Sequence, residues 1–144
     1  GVARTVVRTN TTVIAALAVR LGYADAMICG LEGGYRDNLK QVIRVIGRAE
    51  GVHDISALSV LILNHGSYFL ADTHVTVDPS AEELAEMTVL AAHHVRRFGI
   101  EPKIALLSHS NFGSSPAPCA AKVRKALSIA MSSRASVGWA TTVR

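Results

Sequence analysis

The chain has 144 residues, 49% of them hydrophobic and 18% charged, with a formal net charge of +4. That is one domain's worth of sequence with enough apolar surface to build a core, which excludes a disordered chain. The basic surplus is thinly spread, with no Lys/Arg run longer than two, so the dense basic stripe of a nucleic-acid binder is missing.

Thr9-Asn10-Thr11-Thr12 supply N-cap residues ahead of the apolar run Val13 to Leu21, and Gly22 fits the stop, so a first helix is expected there. Ala24 to Gly30 reads as a short buried strand ending in glycine, with Cys29 a buried small hydrophobe. Asp37 is expected to cap a second helix, whose Leu39, Val42, Ile43 and Ile46 recur on one face until Gly47 ends it. Ala57 to Leu63 and Tyr68 to Ala71 read as two strands of a hairpin, joined by a three-residue loop, Asn64-His65-Gly66.

Asp78-Pro79 can start the third helix, since proline suits its first position; Ser80 with Glu83 offers an alternative capping box. Leu84, Met87, Ala91, Val95 and Phe98 share one face of it, and Arg96 and Arg97 complement the dipole of its last turn. Ile104 to Leu107 is an all-apolar strand, expected to be covered on both faces. A Gly/Ser-rich loop, Ser108 to Ser115, then opens a helix from about Pro116 to Ile129. Met131 to Arg144 has no helical or strand period.

Strands alternating with helices of this length imply an α/β fold of three layers, with a mainly parallel open sheet carrying a β-hairpin excursion. Residues 1–130 are expected to form one incomplete α/β subdomain, and residues 131–144 an irregular C-terminal tail.

In an open α/β sheet, ligands bind just past the carboxyl ends of the strands. A small-residue loop there, leading into a helix N-terminus, can turn backbone N–H groups toward an anion. Ser108, Ser110, Asn111, Gly113 and Ser114 are therefore candidate ligand residues, although a capped strand-to-helix turn has the same composition. Arg8, just ahead of the first helix, can hold an anion at that helix start or be an ordinary surface arginine.

Other chemistry is thin. His109 lacks an evident partner for acid–base work. His93 and His94 are adjacent on a helix and point apart, and no His/Cys spacing suits a metal, so no metal site and no catalytic residue is expected. Glu82, Glu83 and Glu86 suit the positive end of a helix, and Asp72 either anchors its loop or lines a cleft. Gly30, Gly33 and Gly34 do not make a dinucleotide fingerprint, so no nicotinamide cofactor is expected in this chain. Two cysteines without a CxxC suggest a reducing cytoplasm. No apolar run approaches the ~20 residues that span a bilayer, so no membrane partner is expected.

Thr9-Asn10-Thr11-Thr12, Ala24 to Gly30, Ala71-Asp72-Thr73, Asp78-Pro79, Ala81 to Glu86 and above all Phe98 to Ser114 resemble the phosphate acetyl/butyryltransferase family. The resemblance is greatest to the phosphotransacetylase-like C-terminal domain of bacterial NADP-dependent malic enzymes, and runs from about Arg8 to Ile129. It implies acetyl transfer between coenzyme A and phosphate, and two α/β subdomains facing each other across a cleft, of which this chain is most of one. The family's serine–arginine pair and catalytic aspartate belong to later segments, and no residue here matches them. Transacetylases tend to carry an arginine where this chain has Lys40, which lacks the planar fork for bidentate phosphate binding. They tend to carry a lysine where it has Phe112. Both departures resemble the malic-enzyme branch.

The resemblance thus implies a module that senses acetyl-CoA or acetyl phosphate and holds a homo-oligomer together. The alternative it implies is part of a catalytic phosphate acetyltransferase, and a third reading is an inactive fragment. Coenzyme A or acetyl-CoA is the ligand implied, and Lys40 joins the candidate phosphate contacts. NADP and a divalent metal are expected only in an N-terminal malic-enzyme domain of the full-length parent. That domain and the second subdomain are the partners expected, and Gly1 in place of methionine fits a fragment.

Overall fold

The computed structural model describes residues 2–109, 114–133 and 140–143. Its elements are helices α1 (Val2–Thr9), α2 (Thr11–Arg20), α3 (Tyr35–Val45), α4 (Ala81–Arg96) and α5 (Pro118–Ser132), with strands β1 (Leu58–Leu63), β2 (Gly66–Ala71), β3 (Lys103–Leu106) and β4 (Ala140–Val143). The fold is α/β, as expected. The chain divides into two compact units, residues 1–51 and 52–144.

The first unit holds α1 to α3. Asn10 separates the first two helices: it is extended at φ −113° and ψ 106°, and its side chain accepts from the Val13 N–H at 3.0 Å. The expected cap therefore narrows to Asn10, and α1 ahead of it is an element that no cap or period in the sequence announced. Thr12, Val13 and Ala16 are the buried face of α2. Its end is a Schellman turn. Gly22 takes φ 76°, its N–H donates to the Val19 carbonyl at 3.1 Å, and the Tyr23 N–H donates to the Ala18 carbonyl at 2.8 Å.

In α3 the cap position falls on Gly34, not Asp37, which sits inside the first turn where its charge complements the dipole. Leu39, Val42, Ile43 and Ile46 are half-buried, on the face expected. The Arg20 guanidinium donates to the Ile46 carbonyl at 2.8 Å, tying the ends of α2 and α3 together. The expected buried strand at Ala24 to Gly30 does not form: the segment joins no ladder, Ile28 is 99% exposed, and Cys29 is exposed. A strand needs a neighbour for its N–H and C=O groups, and this unit of helices offers none.

The second unit opens with the hairpin, antiparallel from Leu58↔Ala71 to Leu63↔Gly66. The loop is therefore two residues, Asn64-His65, and not three. Gly66 begins β2 with φ 151°, a conformation glycine accepts most easily. Phe69 is half-buried against Phe98, ring centroids 5.5 Å apart.

The alternative start of α4 prevails. Ser80 accepts from the Glu83 N–H at 3.1 Å while Glu83 accepts from the Ser80 N–H at 2.7 Å, a complete capping box. α4 packs on α5 through small residues, with Ala81, Ala85, Thr88 and Ala92 buried on one helix and Ala120, Ala126 and Ala130 on the other. Beside them Met87, Val95 and Val123 are buried, while Phe98, expected on the same face, is 63% exposed.

β3 and β4 are parallel, Lys103↔Ala140 to Leu106↔Val143, with α5 between them in sequence. This is a strand–helix–strand crossover. The expected irregular tail therefore contains the end of α5 and a strand. β3 is not covered on both faces. Ile104 and Leu106 are half-buried, Lys103 and Ala105 are exposed, and Leu107, expected inside the strand, lies past it and is 72% exposed. Its side chains alternate because one face alone is covered. Among the described residues no helix is long and apolar enough to cross a membrane.

Candidate functional site

The connection from β3 to α5 stands where the sequence placed it, at the carboxyl end of a parallel strand and the start of a helix. Pro118 takes the first helical position of α5, and Ala117 at the cap offers no side-chain oxygen to the first-turn amides. Of the candidate ligand residues, Ser108 is half-buried and Ser114 exposed. Ser110, Asn111 and Gly113 lie outside the described residues, as does Phe112. Ser115 fastens the turn: its hydroxyl accepts from the Ala117 N–H at 3.2 Å and its carbonyl accepts from the Arg124 guanidinium at 2.9 Å.

The cations of α5 are engaged within the unit. Lys122 is paired with Asp78, and Lys125 with Glu82 at 2.7 Å. The hydrogen bond and charge of Lys122 hold the Asp78 carboxyl below its ordinary range, and Lys125 does the same for Glu82. An anion at this helix start would therefore be met first by backbone N–H groups.

Arg8 and Lys40 belong to the first unit. Arg8 is exposed in the last turn of α1, where a cation complements the helix dipole. Lys40 is exposed on α3, its Nζ 3.7 Å from Asp37 Oδ1. A cleft of about 240 Å³ lies in the same unit, between the first turn of α2 at Thr11 and Thr12 and the loop Ile28 to Glu32. Asn38 braces it, accepting from the Thr12 hydroxyl at 2.7 Å and donating to the Glu32 carbonyl at 2.9 Å.

One contact was not foreseen. Cys119 Sγ in the first turn of α5 lies 3.1 Å from His109 Nδ1 at the end of the β3 connection. Both side chains are exposed. The signal was faint: the histidine lies just past a strand and the cysteine in the first turn of a helix, ten residues on, and no spacing rule pairs them.

Asp72, left open between anchor and cleft, is an anchor. It takes a left-handed φ of 42° at the end of β2, and its carboxylate accepts from the N–H groups of Val75 and Thr76 at 3.1 and 2.8 Å. Glu83 is part of the capping box, and Glu86 accepts from the His53 N–H at 3.0 Å. Among the described residues no group of three or more His, Cys, Asp or Glu side chains is placed to hold a metal.

Comparison with known proteins extends this geometry. The chain is 58% identical over 127 residues to an NAD-dependent malic enzyme from Rhizobium meliloti, covering 88% of this chain and 16% of that protein. It is 53% identical over 129 residues to an NADP-dependent malic enzyme from Haemophilus influenzae, covering 90% of this chain and 17% of that one. The chain thus spans about a sixth of the length of these relatives. Its fold is similar to that of the EutD phosphotransacetylase from Staphylococcus aureus, with a TM-score of 0.82 at 24% identity, over 92% of this chain and 41% of that one. The model of the phosphate acetyl/butaryl transferase family matches residues 1–139, and the chain belongs to that family.

Proposed function

We propose that this chain is the metabolite-sensing and assembly part of a malic enzyme, a phosphotransacetylase-like module that reads acetyl-CoA or acetyl phosphate without turning it over. The observation that carries this reading is its likeness, at 58% and 53% identity, to two malic enzymes of which it covers 16% and 17%. Malate oxidation by the parent, with its nicotinamide cofactor and divalent metal, belongs in this reading to the sequence outside this chain.

The ligand's phosphate would sit at the start of α5, on the first-turn amides, with the Ser108 and Ser114 hydroxyls beside it. Lys40 and Arg8, both in the first unit, are separate candidate cations for anionic chemistry. The module would work in a homo-oligomer in the cytoplasm, completed by its second subdomain.

The test uses the full-length protein that carries this chain. Its malate oxidation is followed with and without acetyl-CoA and acetyl phosphate, and acetyl transfer from acetyl phosphate to coenzyme A is assayed in parallel. A metabolite-dependent change in malate oxidation with no acetyl transfer is the result expected. Coenzyme-A-dependent acetyl transfer at enzymatic rates would instead make the chain part of a working phosphate acetyltransferase, the reading to which its family lends weight.

A further inference from the structure

Cys119 and His109 have the arrangement of an activated thiol. Sγ lies 3.1 Å from Nδ1 and 3.9 Å from Nε2 of the same imidazole, so the ring presents its Nδ1 edge to the sulfur. A nucleophile and a base within hydrogen-bond reach are the first requirement for thiol reactivity. The second is a place for the charge left on sulfur, and Cys119 follows Pro118 in the first turn of the 15-residue helix α5, whose N-terminal end is positive. The third is access, and both side chains are exposed.

The charged groups of α5 have partners other than this pair. Lys122, one turn along α5, is held by Asp78, and Lys125 is held by Glu82 at the start of α4. Arg124 donates to the Ser115 carbonyl. No carboxylate among the described residues is bonded to His109 or Cys119, so none competes with the sulfur for the imidazole.

We propose that Cys119 is a modification site for low-molecular-weight disulfides, activated by His109. In the step, the Cys119 thiol proton passes to the His109 imidazole and the thiolate attacks one sulfur of the incoming disulfide. A new S–S bond forms as the old one breaks, and the departing thiolate leaves with the electron pair and takes up a proton. Cys119 is oxidised and the departing sulfur reduced, and a free thiol reverses the exchange. The proposal rests on this pair and on the start of α5, where the proposed reading also seats the metabolite's phosphate, so its test is made with no acetyl-CoA or acetyl phosphate present.

Cys29 supplies the internal control, an exposed free cysteine in a segment outside any helix, with no imidazole neighbour among the described residues. The full-length protein carrying this chain is given a short pulse of iodoacetamide, and the Cys29 and Cys119 peptides are quantified separately by mass spectrometry. Cys119 is expected to react about tenfold faster than Cys29 in the native protein, and at the same rate in concentrated urea. His109→Gln is expected to bring Cys119 down to the Cys29 rate while Cys29 is unchanged. Oxidised glutathione is expected to form its mixed disulfide at Cys119 first. Cys119 reacting no faster than Cys29 in the native wild-type protein overturns the proposal without recourse to any variant. A His109→Gln protein in which Cys119 keeps its full advantage overturns the role of the imidazole.

Discussion

The Asp72 carboxylate lies 2.8 Å from the backbone N–H of Thr76, and the backbone N–H of Asp72 itself lies 2.9 Å from the carbonyl of Ala57 across the hairpin. One residue thus closes the base of β1 and β2 and holds the loop that follows. Burial pulls this carboxyl upward, but hydrogen bonds from the Thr76 N–H and hydroxyl and from the N–H groups of Val75 and Ala57 outweigh it, leaving the pKa below the ordinary value. A carboxyl depressed by folding stabilises the native state above its unfolded pKa, and that contribution is lost as the pH falls through the folded pKa. Asp72→Asn keeps a side chain that tolerates the left-handed backbone and removes the charge. It should cost about 2 kcal/mol at neutral pH. By about pH 3 the gap to wild type should narrow, which urea denaturation at the two pH values measures.

Ser80 and Glu83 exchange two hydrogen bonds at the start of α4, and that helix is half of the α4–α5 interface. Ser80→Ala leaves the Glu83 N–H without its acceptor and should cost about 1 kcal/mol, whereas Ser80→Gly should cost a few tenths. Both variants lack the hydroxyl, so equal losses for the two in urea denaturation would show that the backbone preference at the cap adds nothing to the lost hydrogen bond.

These local devices were legible because their partners are neighbours in sequence. Ser80 and Glu83, the Gly22 and Gly47 stops and the α3 face through Ile46 all follow from spacing alone. Burial was not. The apolar runs Ala24 to Gly30 and Ile104 to Leu107 declare a demand for covering surfaces, but whether those surfaces exist depends on residues far away. Ile28 and Leu107 are largely exposed. The strand β3 and the helix α5 that flank the candidate stretch were readable in the same way as the local devices, while the His109–Cys119 contact, between residues ten apart, follows from no spacing rule. α1 was not legible because its eight residues make only about two turns, too short a run to set a helical period apart.

Gly22 closes α2 at φ 76°, and a Cβ added there meets nothing within 4 Å. Any loss on Gly22→Ala is therefore the backbone's own, about 1 kcal/mol for an L-residue in the left-handed region. Gly22→Asn should lose less, because asparagine enters that region more readily. Thermal unfolding followed by circular dichroism distinguishes the two. An alanine variant as stable as wild type would mean that the Schellman turn relaxes to another ending.

Ala126 is 0% exposed on the face of α5 that packs on α4, and Ala121 is exposed on the same helix. The two share an element, a residue type and a helical backbone, and differ in what faces them. Ala126→Leu forces extra methylenes into a seam of small residues and should cost about 1–3 kcal/mol. Ala121→Leu should stay within about 0.5 kcal/mol of wild type. Matching stabilities for the two leucine variants would contradict the packing of α4 on α5.

Lys40 is the most exposed test of the ligand reading. Its pairing with Asp37 is a surface contact at 3.7 Å between side chains 74% and 79% exposed, and such pairs contribute little to stability. Lys40→Gln should therefore leave the unfolding midpoint unchanged. If the ammonium meets a phosphate in the full-length protein, the same change should raise the acetyl phosphate concentration giving a half-maximal response by about tenfold, the worth of one hydrogen bond to a charged group. Lys40→Arg should restore the response, and a planar fork that can grip two oxygens should strengthen it. A response that ignores both substitutions removes Lys40 from the candidate ligand contacts.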